Sequence, residues 1–242
     1  MPEMRQFHVY DCASMGAVQL RMFLATMMVA GSLVIALVVV VPTSASAEPE
    51  TCPPVCDQIP NTAWIAPGAV PLHSVYRWPA LAAVATPVTG TTPQFRFEQV
   101  CNALPQDSRR AAVSARATVA HPDGQWQLQA QILHWRGDTA RGGAAAAAVF
   151  GTAVDALRGC QLGAPAQAPS VTDDEPTRMA AVISGPVIVH TYLVAHVASS
   201  TISELTLWAV GTAEVTWPVI SDAAVLDAIT APLCEAYLAS CP

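Results

Sequence analysis

The chain has no lysine; all 11 of its basic residues are arginine. That excludes a P-loop ATPase, whose lysine must reach the phosphates, and any enzyme working through a lysine Schiff base. Charged residues of either sign make up only 12% of the sequence, and the acidic ones prevail, for a formal net charge of −7. So acidic a protein suits neither the nucleic acid backbone nor an anionic lipid surface, and no nucleic acid partner is expected. Chemical motifs are scarce too. There is no G-x-S-x-G elbow, no H-x-H or H-E-x-x-H, no paired C-x-x-C and no D-x-D-x-D-G loop. Regular βαβ alternation with a Gly-rich turn is also missing, which argues against a dinucleotide fold. Neither a cofactor, a metal nor a catalytic residue is expected.

What is present begins with the run Met22–Val41, 20 residues without a charge. As a helix it is long enough to cross a ~30 Å hydrocarbon core. Arg5 and Arg21 precede it and Glu48, Glu50 and Asp57 follow, so the N-terminus stays in the cytoplasm and everything beyond Val41 faces outward. Ala45-Ser46-Ala47 is a small-x-small site of the kind signal peptidase cuts. The run therefore reads either as a single-pass anchor or as a signal released after Ala47. Both readings export the same domain. The expected organisation is a cytoplasmic segment (1–21), a transmembrane or signal helix (22–41), a proline-rich spacer (42–70) and an extracytoplasmic α+β domain (71–242).

Six cysteines follow the run: Cys52, Cys56, Cys101, Cys160, Cys234 and Cys241. An even number in an oxidising compartment reads as up to three disulfides, for which 15 connectivities are possible. CPPVC (52–56) lies among prolines, with no strand before it and no helix after it. Nothing there lowers a thiol pKa, so it reads as a structural staple rather than a redox or copper site.

Local patterns fill in the domain. QFRFEQV (94–100) alternates like a strand. VSARATVA (113–120) and QWQLQAQI (125–132) form a hairpin in which paired numbers sum to 245, with Val119 opposite Trp126 and Ala117 opposite Leu128. Its other face carries the glutamines beside Ser114, Arg116 and Thr118, and is expected to be wet. GGAAAAAVFGTAVDALRGCQ (142–161) is a helix preceded by Gly142 and Gly143 and closed by Gly159. QLGAPAQAPSVTDDEPT (161–177) reads as a surface loop, its Asp173-Asp174-Glu175 cluster as solvated rather than calcium-binding. VIVHTYLVAHV (187–197) and SELTLWAV (203–210) pair with numbers summing to 400. SDAAVLDAITAPLCEAYLAS (221–240) is a second helix, capped by Ser221 and kinked or ended by Pro232. Locally paired strands with segregated helices give an α+β fold: an antiparallel sheet covered on one face by two alanine-rich helices.

In that register His190, Tyr192, His196, Glu204 and Trp208 share one strand face. Alternating aromatic and polar groups there form the candidate ligand site, against the alternative of an ordinary stabilising cross-strand cluster. His190 and His196 stand about 20 Å apart at strand rise and cannot share an ion.

AAAVFGTAVDALRGCQ, the strands VIVHTYLVAHV and SELTLWAV, and the C-terminal alanine-rich helix resemble, in kind and order, the extracellular sensor domains of mycobacterial serine/threonine kinases and their exported relatives. Arginine without lysine, and abundant Ala, Val and Pro, are likewise similar to high-GC actinobacterial coding. The resemblance covers about residues 90–242. It implies an α+β, disulfide-bonded domain outside a single membrane span, a ligand-binding cleft, and a Cys101–Cys160 bridge that leaves Cys52, Cys56, Cys234 and Cys241 for two more. The chain departs from that family in having only 21 residues before the span, too few for a kinase domain, and in the additional CPPVC pair. The functional expectation is a non-enzymatic binding or sensor-like module for an envelope ligand or protein. An exported hydrolase without a visible motif and a structural partner in an envelope assembly are the alternatives.

Overall fold

A computed structural model describes residues 56–237 and Ser240. The 22–41 run, Cys52 and Cys241 lie outside the described residues. Among those described, no helix is long and apolar enough to cross a membrane.

Seven strands form one antiparallel sheet: β1 (Ala85–Pro87), β2 (Val113–Val119), β3 (Gln127–His134), β4 (Ala168–Glu175), β5 (Arg178–Ser184), β6 (Val187–His196) and β7 (Thr201–Val210), in the order β1-β2-β3-β7-β6-β5-β4. Helices are α1 (His73–Tyr76), α2 (Leu81–Val84), α3 (Arg96–Val100), α4 (Thr139–Arg158), α5 (Cys160–Gly163) and α6 (Asp222–Ala236). The α+β class and the antiparallel sheet match the sequence reading. The layering does not. α4 and α6 cover opposite faces, so the sheet is packed on both sides.

One core joins α6, through Val225, Leu226, Ile229 and Leu233, to Leu128, Tyr192, Val194, Leu205 and Leu207 of the sheet. Ala63, Trp64, Ile65, Val70 and Trp78 enter the same core. Cys56 and Ile59 also pack against it, so the described part of the expected 42–70 spacer, from Cys56 on, belongs to the folded domain. The second core sets Val149, Phe150, Val154 and Leu157 of α4, with Phe95 and Phe97, against Leu133, Met179, Leu193, Ile202 and Trp208. Burial on both faces explains why β3 reads "buried" at seven of its eight positions, where alternation led us to expect a wet glutamine face.

α4 begins earlier than its alanine run implies. The Asp138 carboxylate accepts the Arg141 N–H at 2.8 Å and caps the helix. Gly142 and Gly143 therefore lie inside the first turn, where they let the turn at 197–199 approach. A Cβ on Gly143 would stand 2.6 Å from the Val197 carbonyl oxygen. α6 is capped by Ser221, whose Oγ accepts the Ala224 N–H, and it runs through Pro232 without ending.

Three further segments depart from the sequence reading. Residues 96–100 form α3, not a strand: the Glu98 carboxylate caps its start by accepting the Phe95 N–H at 2.9 Å, and both phenylalanines are buried. Much of the presumed 161–177 loop is β4, an edge strand with a bulge at Val171/Asp173. There Asp174 pairs with Arg158 and Glu175 with Arg178. Charge, bulge and Pro169 discourage further pairing on that edge. Cys101–Cys160 is a disulfide, joining the end of α3 to the end of α4, and Cys56 and Cys234 are also disulfide-bonded.

Candidate functional site

Register decides which side chains meet. The first hairpin pairs with numbers summing to 247, not 245: Ala117 faces Ala130 and Val119 faces Leu128. A two-residue shift keeps each side chain on its expected face. The β6–β7 pair is different. Its numbers sum to 397, with Tyr192 opposite Leu205, Val189 opposite Trp208 and His196 opposite Thr201. A three-residue shift, being odd, inverts one strand relative to the other. The cause is a tight connection: residues 197–199 form a 3-10 turn and Ser200 takes a left-handed φ of 55°, so β7 starts at Thr201. The five candidate residues are therefore divided. His190 and Tyr192 face α6, Glu204 and Trp208 face α4, and His196 stands at the turn.

On the α6 side, His190 stacks on Trp217 with ring centroids 3.6 Å apart, and Trp126 meets its edge at 5.6 Å. Burial lowers the His190 pKa to about 4, against a smaller opposing pull from Asp222, so the ring is neutral. The Tyr192 hydroxyl donates to Asp222 Oδ1 at 3.0 Å, and burial, first of all, raises its pKa. These contacts close the cluster on itself: Trp126 is buried and its indole N–H donates to the Val215 carbonyl at 2.7 Å. The cluster reads as packing.

His196 Nδ1 lies 2.7 Å from Ser199 Oγ. This is a local turn contact. Burial lowers the His196 pKa, no carboxylate among the described residues orients the ring, and Ser199 is itself buried. The relay that a hydrolase needs is not assembled there.

The α4 side is richer. Arg116, Gln131 and Glu204 are direct neighbours across β2, β3 and β7, on one face. The next row holds Thr118, Gln129, Thr206 and Thr191, and the one after it Gln127, Trp208 and Val189. Glu204 is fully buried, and its Oε1 accepts the Arg96 backbone N–H at 2.6 Å and the Thr206 hydroxyl at 3.0 Å. Gln129 Nε2 donates to its Oε2 at 3.3 Å. Burial outweighs these bonds and pushes the Glu204 pKa up to about 7, with Glu98 adding to the rise.

Two arginines overhang this carboxyl. The Arg96 guanidinium lies 4.3 Å above the Trp208 ring and donates to Gln99 Oε1 at 2.7 Å. Arg116 donates through Nε to Gln131 Oε1 at 2.6 Å and through Nη2 to the Gln94 carbonyl at 3.0 Å. Both are half-buried, and burial lowers both pKa values while Glu204 opposes it; Arg96 is also lowered by the charge of Arg116. Among the described residues neither guanidinium forms an ion pair. Gln131 Nε2 and Arg96 Nε are buried without a hydrogen-bond partner. Donors thus exceed acceptors at this place, a composition suited to holding an acceptor from outside. Exposed Thr118 and half-buried Gln127 lie on the same face.

The sequence reading contained part of this site: Glu204 and Trp208 as candidates, and Arg116 on the glutamine face. It missed Arg96, because 94–100 reads as a strand. The neighbouring pair Glu98–Arg109, both fully buried and joined through two contacts, belongs to the scaffold that holds α3 in place. Surface depressions elsewhere include a recess of about 260 Å³ beside Trp64, Ala82 and Val113 and a groove of about 480 Å³ between 68–77 and 218–220. Compared with known proteins, the chain matches no family model, no curated protein and no solved structure.

Proposed function

We propose that the chain is an exported, membrane-anchored binding or sensor-like module of an actinobacterial cell envelope, with no catalysis of its own. The 22–41 run would anchor it as a single-pass protein with the C-terminal domain outside, and cleavage after Ala47 would release that domain. The observation that carries the binding function is the donor-rich patch around Arg96, Arg116, Gln131 and Trp208. Its two guanidiniums are half-buried over the buried Gln131 and Trp208, while the buried Glu98 and Arg109 charges pair with each other. A binding module is also what the resemblance of the sequence to kinase sensor domains would imply. The His196–Ser199 contact lies in a tight turn with the serine buried, which weighs against the hydrolase alternative.

The test is native mass spectrometry of the full chain drawn from its own membrane in an uncharged detergent. A bound small molecule that is lost on Arg96→Gln at unchanged melting temperature is the expected result. A chain that carries nothing, in wild type and variant alike, counts against a binding module.

A further inference from the structure

A guanidinium that is half-buried has lost part of its hydration; neutral acceptors and a ring face recover some of that loss, and a counter-charge recovers more. Arg96 and Arg116 have one shared carboxyl to rely on, Glu204, and neither reaches it as an ion pair. Glu204 spends its acceptor capacity on the Arg96 amide, Thr206 and Gln129. The other charged groups near it do not help: on α3 and the segment after it, Glu98 and Arg109 neutralise each other. Besides Glu204, the polar groups of the strands on this face are the uncharged Gln127, Gln129 and Gln131 of β3, Thr191 of β6 and Thr206 of β7, and on α4 Arg158 pairs at the surface with Asp155 and Asp174. In a domain this acidic, two adjacent half-buried cations without an ion pair are an exception that calls for a partner.

Resting on the binding-module reading above, we propose that Arg96 and Arg116 form an anion site that takes a carboxylate, or a phosphate- or sulfate-type group, of a small ligand in competition with the Glu204 carboxylate. The geometry supplies a fork of charged donors from two elements, with the Trp208 ring beneath Arg96 and the buried Gln131 side chain holding Arg116. Planar guanidinium groups match an oxyanion with paired hydrogen bonds. Glu204 sets the competition. Ionised, it is the internal counter-charge; protonated, it leaves two cations for the ligand. Because Glu204 titrates near neutrality, anion affinity falls as pH rises from 6 to 8.

With only 11 arginines and no lysine, the side-chain Nε–Hε spectrum of the full chain in uncharged detergent is simple enough to read. Sulfate and acetate are the probes, since neither changes charge between pH 6 and 8. The expected result at pH 6 is a saturable shift of two signals, those missing in Arg96→Gln and Arg116→Gln. Either variant should bind about tenfold or more weakly, as expected for a lost charge-assisted hydrogen bond. Thr118→Asp places a carboxylate at an exposed position of the same face, two residues from Arg116. It leaves the fold intact and weakens binding about fivefold by internal competition. Glu204→Gln abolishes the difference between pH 6 and pH 8. Preference for sulfate assigns the site to tetrahedral esters and preference for acetate to carboxylates.

No saturable shift of either signal with either ion overturns the anion site. If the native chain nevertheless carries an uncharged small molecule, the binding module stands and only its ligand class falls. If neither ion nor adduct is found, both fall.

Discussion

Arg109→Met isolates what holds α3 over the sheet. Arg109 and Glu98 are both fully buried, and the guanidinium donates from Nη1 to Oε2 at 2.6 Å and from Nη2 to Oε1 at 2.5 Å. It also lies 4.3 Å from the Phe95 ring centre. Methionine fills much of the volume but, among the described residues, leaves the Phe95 N–H as the remaining donor to the Glu98 carboxylate. Removing one member of a buried pair costs about 3–5 kcal/mol, because the other charge is stranded. Two lost charge-assisted bonds at roughly 1.5–3 kcal/mol each give a similar figure. The double variant Glu98→Gln/Arg109→Met strands no charge and keeps a side-chain acceptor for Phe95, so it should cost only about 1–2 kcal/mol. Urea unfolding with disulfides intact, followed by tryptophan fluorescence, measures both. A single-variant cost below about 1 kcal/mol, or a double variant as costly as the sum of both singles, refutes the stranded-charge reasoning.

Glu204 should make stability depend on pH. Its folded pKa of about 7 lies above the ordinary 4.5, so the folded state binds more protons between those values. Its contribution is full below about pH 4.5 and declines as pH rises through 7, by about 3 kcal/mol in order of magnitude. Wild type minus Glu204→Gln, compared by urea unfolding at pH 5 and pH 8, isolates it; a difference that does not change with pH contradicts the buried placement. His190 has the opposite sign. With a folded pKa of about 4, it favours the fold above about pH 6.5, and this is lost toward pH 4. Its ring proton resonance should titrate near pH 4, and a midpoint above 6 excludes the stack on Trp217. Gly143→Ala forces a methyl against the Val197 carbonyl oxygen, 2.6 Å away. A loss of about 1–3 kcal/mol is expected, and a neutral result means that α4 does not sit on that turn.

Much of this fold follows from short-range pattern. α4 and α6 are legible because Val149, Phe150, Val154 and Leu157, or Val225, Leu226, Ile229 and Leu233, recur at helical spacing. The faces of the first hairpin are legible because its apolar positions alternate. What escapes is set by contacts distant in sequence. Gln129 and Gln131 are buried where Glu204 and Arg116 meet them from the neighbouring strands, which no local alternation reveals. Phe95 and Phe97 mimic a strand, yet a carboxylate cap three residues along and a disulfide to Cys160 make a short helix. The candidate site suffered most from one detail. The left-handed Ser200 shortens the β6–β7 connection, and that odd shift moved Glu204 and Trp208 away from His190 and Tyr192.

The central proposal is a ligand site at the donor-rich patch, and chemical-shift mapping tests it directly. The full chain, labelled at arginine side chains and tryptophan indoles, is titrated with the water-soluble small-molecule fraction of an actinobacterial envelope. The expected shifts are at Arg96, Arg116 and Trp208, saturating together. Shifts confined to Trp64 beside the 260 Å³ recess, to Arg77 in the groove between 68–77 and 218–220, or to Trp217 beside His190 contradict the assignment of the donor-rich patch.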